Sequence, residues 1–156
     1  EESLVLLGSF QATIVGIRYY AGTAYPGEYV QLVREPQNPY DGNAIRVDNM
    51  ANVKVGHIKR QSAVGLAAVM DKLKVKIDGT IPSAGNDYTM PVCIEIFGKD
   101  RSDQMQVDQI LKRSGNRWNM NKKLAKGTSR TTAAVQVSKK NMDWQSSQKN
   151  LDDMFE

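Results

Sequence analysis

The sequence predicts a mainly β fold: a small, closed or partly closed β-barrel (OB-like) with two or three helices and a polar C-terminal extension. Three observations lead to this prediction. Six short segments alternate apolar and polar residues or are rich in β-branched residues, and turn residues separate them. Short strands joined by tight turns are typical of small barrels. Two segments have helical spacing, but they do not alternate regularly with the strands, which argues against a doubly wound sheet.

The strands are predicted from alternation, and their connections from turn residues. The six predicted strands cover residues 10–17, 29–33, 44–47, 53–58, 75–81 and 92–97. Between the first two, Tyr25-Pro26-Gly27-Glu28 is typical of a tight turn, because Pro presets φ and Gly adopts positive φ. Residues 36–43 hold two Pro, two Asn and an Asp-Gly pair, which indicates a loop.

The helices are predicted from apolar residues that share one face. The first covers residues 62–70, with Ser62 as its predicted N-cap. The second covers residues 102–113 and places Lys112 and Arg113 in its last turn, where positive charge suits the helix dipole. A third is expected within residues 138–156, where a short stretch is amphipathic.

Charge divides the chain into two unequal parts. Its 156 residues carry a net charge of +4. Residues 1–100 contain 10 Lys or Arg and 11 Asp or Glu, a net charge of −1; residues 101–156 contain 11 and 6, a net charge of +5. A segment poor in large apolar groups cannot offset its own ordering entropy. We therefore predict a folded module over residues 4–113, a flexible basic linker over 114–137, and the amphipathic helix over 138–156.

The sequence lacks the motifs of several enzyme classes. One Cys and one His exclude Cys-rich and multi-histidine zinc sites, and no apolar run approaches the roughly 18 residues of a membrane span. There is no G-x-x-x-x-G-K-[ST] loop, no H-E-x-x-H or G-x-S-x-G motif, and no acid followed two residues later by Lys. We expect a binding module, with no catalytic residue, metal, cofactor or membrane partner.

Three clusters combine aromatic, basic and amide side chains near the ends of predicted strands. They are Gly16-Ile17-Arg18-Tyr19-Tyr20, the loop over residues 35–45, and Val55-Gly56-His57-Ile58-Lys59-Arg60. Core packing, a self-capped loop or a solvated helix start would explain each cluster taken singly. If the first strand continues through Tyr19, its neighbour Tyr20 faces the other side and belongs to the core.

Taken together, the clusters form a family pattern. Asn-Pro-Tyr-Asp-x-Asn-Ala-Ile begins at Asn38, Val-Gly-His-Ile-Lys-Arg begins at Val55, and Thr-Met-Pro begins at Thr89. Over about residues 4–113 this pattern resembles the HIRAN domain, especially in members joined to a Swi/Snf-type ATPase and ubiquitin ligase that remodels stalled replication forks. The resemblance implies an OB-like barrel that binds the 3′-hydroxyl end of single-stranded DNA. It also implies a monomer that works beside an ATPase domain in the nucleus.

The resemblance further implies which residues bind DNA. The matching positions are Arg18, Tyr19, Asn38, Tyr40, Asp41, His57, Lys59, Arg60 and Tyr88. The tyrosines can stack on exposed bases, and the Arg and Lys side chains can neutralise phosphates. Asp41 would accept a hydrogen bond from a free 3′-hydroxyl and would repel a terminal phosphate. Asn38 would either bond a base edge or hold the loop.

Two other functions fit the same sequence. A general single-stranded nucleic-acid binder would depend on the basic residues over 112–130, so truncation near residue 114 would abolish its affinity. A protein-interaction module would instead use the apolar side chains over residues 142–155. An enzyme that depends on His57 or on scattered carboxylates is the last alternative.

Overall fold

The computed structural model describes residues 3–125, which form an antiparallel barrel with helices packed against it. The strands are β1 (Val5–Val15), β2 (Tyr29–Arg34), β3 (Ile45–Asp48), β4 (Lys54–Ile58), β5 (Lys76–Thr80), β6 (Thr89–Gly98) and β7 (Asn119–Met120). The helices are α1 (Arg60–Lys72), α2 (Arg101–Arg113) and α3 (Lys122–Ala125), and a short 3-10 turn covers Ile17–Tyr19. The predicted class, a mainly β barrel with a few helices, is confirmed.

The long strand β1 closes the barrel. Hydrogen-bonded neighbours follow the order β4-β3-β2-β5-β6-β1, and β1 also pairs with β4, so that these six strands form a ring. Within β1, Ile14 lies opposite Ile58 of β4 on one side and opposite Met90 of β6 on the other. Full closure leaves these strands without long unpaired edges.

Alternating side chains of the strands fill the barrel. Ile14, Val47, Val55 and Ile94 are fully buried, and Leu66 of α1 joins the same core. This alternation is the signal that made most strands predictable from the sequence. The first strand is the exception, because it begins at Val5 rather than at residue 10.

The start of β1 escapes prediction because it is buried on both faces. Val5, Leu6 and Leu7 are all buried, so alternation is absent there. The outer face is covered by the C-terminal part of the described chain, where the Asn121 side-chain amide donates to the Leu6 carbonyl at 2.8 Å. A continuous apolar run is equally compatible with a buried helix, which periodicity alone cannot distinguish.

The two long helices begin differently, because only α2 has a side-chain cap. The prediction that Ser62 caps the first helix is wrong: α1 begins at Arg60, and Lys59 holds the N-cap position without a side-chain cap bond. Helix α2 begins after Asp100, whose carboxylate accepts the backbone N–H groups of Ser102 and Asp103 at 3.0 and 3.2 Å. A carboxylate at this position also suits the helix dipole.

The predicted boundary at residue 113 is wrong, because the folded module continues to Ala125. β7 pairs with β1, and Leu124 is buried in the main core. The buried Gln104 side chain donates to the carbonyls of Leu7 and Asn121, at 2.9 and 3.1 Å. Polar bonds to backbone thus anchor a segment that has few large apolar residues. The rest of the predicted linker and the helix over 138–156 lie outside the described residues.

Within residues 3–125, no helix has the length and apolar character needed to cross a membrane. The same residues bring together no group of three or more His, Cys, Asp or Glu side chains that could hold a metal ion.

Candidate nucleic-acid interface

The loop between β2 and β3 forms one wall of an open groove of about 750 Å³. The opposite wall comes from the end of β4 and the start of α1, and Tyr20 and Val15 contribute to the floor. Of the nine predicted site residues, the groove collects Asn38, Tyr40, Asp41, His57 and Arg60.

The carboxylate of Glu35 holds neighbouring side chains of the groove in place through hydrogen bonds. One of its carboxylate oxygens lies 2.8 Å from His57 Nε2 and accepts the Asn38 side-chain amide at 3.1 Å, while the other lies 3.3 Å from Arg46 Nη1. Burial alone would raise the pKa of Glu35, but hydrogen bonds from His57 and Asn38, with a smaller one from Arg46, outweigh burial and hold that pKa below its ordinary value. Glu35 is therefore an ionised acceptor shared by three donors.

Asn38 lines the groove, and both ends of its side-chain amide are used to shape the loop. Its side-chain oxygen accepts the backbone N–H groups of Tyr40 and Asp41, at 2.8 and 3.3 Å, which is an Asx-type turn. Its amide nitrogen donates to Glu35. Of the two roles left open for Asn38 by the sequence, these bonds favour holding the loop.

The loop presents Tyr40 and Asp41 side by side. The Tyr40 ring is 88% exposed, as expected of a group available for stacking. One oxygen of Asp41 accepts the backbone N–H of Asn43 at 2.9 Å, and the other lies 3.3 Å from Arg60 Nε. Because the Arg60 side chain is 74% exposed, this ion pair is weak and can open.

A second group of predicted residues lies at the rim of the barrel, where β1 ends and β6 begins. The Arg18 guanidinium stacks 5.0 Å from the ring centre of Tyr88 and 5.5 Å from that of Tyr19. Both rings are largely exposed. We call these three side chains the aromatic platform. Its planar groups suit unpaired bases, since stacking needs only a π-face.

Gly16 explains how Tyr19 and Arg18 reach this position. β1 ends at Val15, and Gly16 adopts φ 74°, a left-handed conformation that side chains disfavour. The chain then enters the 3-10 turn, so the predicted strand over residues 10–17 ends two residues early and the condition that would place Tyr20 in the core is not met. Tyr20 is half-buried in the groove instead of lying in the core, and its ring contacts His57 edge-on, with ring centres 5.9 Å apart.

Lys59 is exposed at the junction of β4 and α1, outside the groove lining. Its backbone N–H donates to the Thr13 carbonyl at 2.8 Å, which fixes the junction against β1. The nine predicted residues therefore divide into a groove set, the aromatic platform, and Lys59 beside the groove.

Three groove residues are absent from the predicted site: Glu35, Tyr20 and Lys54. Glu35 begins the loop that carries the family pattern, and its position next to that pattern was the only feature of the sequence that indicated a role for it. Lys54 had no signal, because its role depends on a fold contact: its Nζ lies 4.7 Å from the ring centre of Tyr20. This cation–π contact places a positive charge at the groove floor.

Comparisons with known proteins agree with this geometry. The HIRAN domain family model matches residues 7–99. The chain is 42% identical over 113 residues to the helicase-like transcription factor of Mus musculus, a match that covers 72% of this chain and 11% of that protein. The chain thus spans about a tenth of the curated relatives it matches.

Solved structures show the same fold. The crystal structure of the HIRAN domain of human HLTF superposes with a TM-score of 0.69 at 40% identity, covering 72% of this chain and 93% of that one. The NMR structure of the HLTF HIRAN domain in its DNA-bound conformation gives a TM-score of 0.62 at 41% identity, covering 73% and 93%. With the barrel, the loop pattern and the family model in agreement, this chain belongs to the HIRAN domain family.

Proposed function

We propose that this chain binds DNA and captures the 3′-hydroxyl end of a single strand in the groove beside Tyr40 and Asp41. The observation that carries the proposal is the state of the Asp41 carboxylate. One oxygen is held by backbone, and the other has only a loose contact with the exposed Arg60. That second oxygen is therefore positioned to accept a hydrogen bond from a ligand.

A carboxylate in a DNA-binding groove discriminates between strand ends. A free terminal hydroxyl can donate a hydrogen bond to Asp41. A 3′-phosphate would bring negative charge against it, and a continuing phosphodiester has no proton to donate. Attraction and exclusion therefore favour the same end. When DNA binds, Arg60 is free to turn from Asp41 towards a phosphate.

The other residues have complementary roles. Tyr40 and the aromatic platform would stack on the last bases, each contact being worth about 1–3 kcal/mol. Lys59 and Arg60 would neutralise phosphates, so affinity should fall with salt. His57 would present its ring to the terminal nucleotide while Glu35 holds it in place.

This function is binding rather than catalysis. We propose further that the chain acts as a nuclear monomer that places an adjacent ATPase domain on stalled replication forks, in fork remodelling and damage tolerance. Its membership of the HIRAN family and its identity to the helicase-like transcription factors support this role.

The test is fluorescence anisotropy with oligonucleotides that end in either a 3′-hydroxyl or a 3′-phosphate. We expect the hydroxyl end to bind at least about tenfold more tightly, as a charge-assisted hydrogen bond of about 1.5–3 kcal/mol predicts. Asp41→Asn should remove most of this preference, and Tyr40→Ala should weaken binding to both ends. Asp87→Asn, at an exposed position outside the groove lining, is the matched control. Equal affinity of the unmodified protein for both ends would disprove end capture.

A further inference from the structure

Two arginines outside the groove and the platform flank the turn that follows α2: Arg113 is the last residue of the helix, and Arg117 follows the turn. Helix α2 ends in a glycine cap: Gly115 has φ 78°, its N–H donates to the Lys112 carbonyl at 3.0 Å, and the Asn116 N–H donates to the Leu111 carbonyl at 2.9 Å. These two hydrogen bonds form a Schellman motif, which fixes the backbone between Arg113 and Arg117. The cap makes this turn an ordered part of the fold.

The turn packs directly on α1, the helix that begins at the groove. A Cβ built on Gly65 would meet Ser114 Oγ and would lie 2.6 Å from Asn116 Nδ2, so the side chains of Ser114 and Asn116 pack against the bare backbone of Gly65. Gly65 is five residues after Arg60, which corresponds to about 7.5 Å along the helix. Arg113 and Arg117 flank the two residues in contact, so the turn between them meets α1 about one and a half helical turns along its axis from Arg60, and about 140° further around the helix.

Both arginines are available for a ligand. Their side chains are exposed, and within residues 3–125 neither makes an ion pair. The neighbouring Lys112 differs, because its Nζ lies 3.1 Å from Asp108. No Asp or Glu occurs between residues 109 and 142, so acidic side chains of this segment do not compete for them. Unpaired guanidinium groups beside a cationic groove match a phosphate backbone.

We infer that Arg113 and Arg117 extend the DNA-binding surface along α1 and contact phosphates of the strand that leads to the captured 3′ end. This inference rests on the proposed function of the groove. The groove recognises the terminus, and the arginine pair adds affinity only when the strand is long enough to reach it. Arg113 and Arg117 would therefore contribute from an ordered part of the fold and would extend the site that holds the 3′ end.

The experiment measures affinity against length for single strands with a 3′-hydroxyl, from three to fifteen nucleotides. Arg113→Gln/Arg117→Gln is compared with Lys74→Gln/Lys99→Gln. The control pair loses the same charge. It lies near the end of β6, whereas Tyr88 lies at its start, and the ten residues of β6 separate these two positions by about 30 Å. Circular dichroism and thermal unfolding check that each variant is folded.

We expect the arginine variant to match the unmodified protein on trinucleotides and to bind long strands more weakly. Loss of two phosphate contacts should reduce the salt slope by about 1.4, so the affinity ratio between 50 and 200 mM salt should shrink about sevenfold. An arginine variant that behaves like the control pair at every length overturns the inference while leaving end capture intact. Failure of the unmodified protein to prefer a 3′-hydroxyl would instead disprove the groove function.

Discussion

Glu95 is a nearly buried carboxyl on the outer face of the barrel, and it makes stability depend on pH. It lies in β6 opposite Ser9 of β1 and Asp78 of β5, and it is only 8% exposed. Burial, together with the negative charge of Asp78, raises its pKa from 4.5 to about 7. Replacing Glu95 with Gln keeps the side-chain size and removes the charge.

The expected effect follows from proton linkage. Below pH 4.5 the carboxyl is protonated in both the folded and the unfolded chain, so it contributes no pH dependence. Between pH 4.5 and about 7 the unfolded chain ionises first, so the free energy of unfolding falls as pH rises. The difference between 4.5 and about 7, at 1.36 kcal/mol per pKa unit, amounts to about 3 kcal/mol at pH 8.

Urea unfolding of the unmodified protein and of Glu95→Gln, at pH 4.5, 6 and 8, tests this reasoning. The two free energies of unfolding should be similar at pH 4.5, and the variant should be more stable by about 3 kcal/mol at pH 8. Asp87→Asn, at an exposed position, should follow the unmodified protein at each pH. A Glu95→Gln effect that is constant across this range would show that burial does not disfavour the ionised form, and would refute the reasoning.

Two further predictions concern the groove and the C-terminal part of the module. Glu35→Ala removes an acceptor that three donors share. Urea unfolding at pH 7 should therefore show a free energy of unfolding lower by about 2 kcal/mol, and fluorescence anisotropy should show DNA binding that is about tenfold weaker. Because the pKa of Glu35 is lowered on folding, this stabilisation is fully present above pH 4.5 and is lost as pH falls through the folded pKa; a loss independent of pH would contradict the assignment. Truncation after Arg113 removes buried Leu124 and the hydrogen bonds of Asn121. It should lower the melting temperature and reduce the free energy of unfolding by about 3 kcal/mol or more. An unchanged melting temperature would show that residues 114–125 are not part of the fold.

Most of the barrel could be predicted because its strands are buried on one face. Alternation located β2, β3, β4, β5 and β6 to within a few residues. Elements buried on both faces, or held by polar bonds, were not predictable in this way. Val5 to Leu7 shows no alternation. The segment after α2 is held by hydrogen bonds of Gln104 and Asn121, which are polar residue types usually expected at the surface.

The candidate site was predictable in its residue types but not in its arrangement. The family pattern pointed to Tyr40 and Asp41 within one loop, and the structure places both at the groove. Glu35 and Lys54 were missed, since a carboxylate that holds other side chains and a lysine over a tyrosine ring are defined by distances between separate strands. Sequence spacing carries no information about such distances.

The sequence by itself determined the family, the barrel class, and the aromatic and charged residues that the proposed end recognition would use. These depend on local chemistry: alternation, turn residues and a motif read along one chain. Only the tertiary structure decided that Gly16 turns the chain out of β1 so that Arg18 joins Tyr19 to Tyr88. Only it showed that the turn after α2 packs on Gly65 of α1. Both arrangements depend on contacts between residues distant in sequence, which ring closure and core packing bring together.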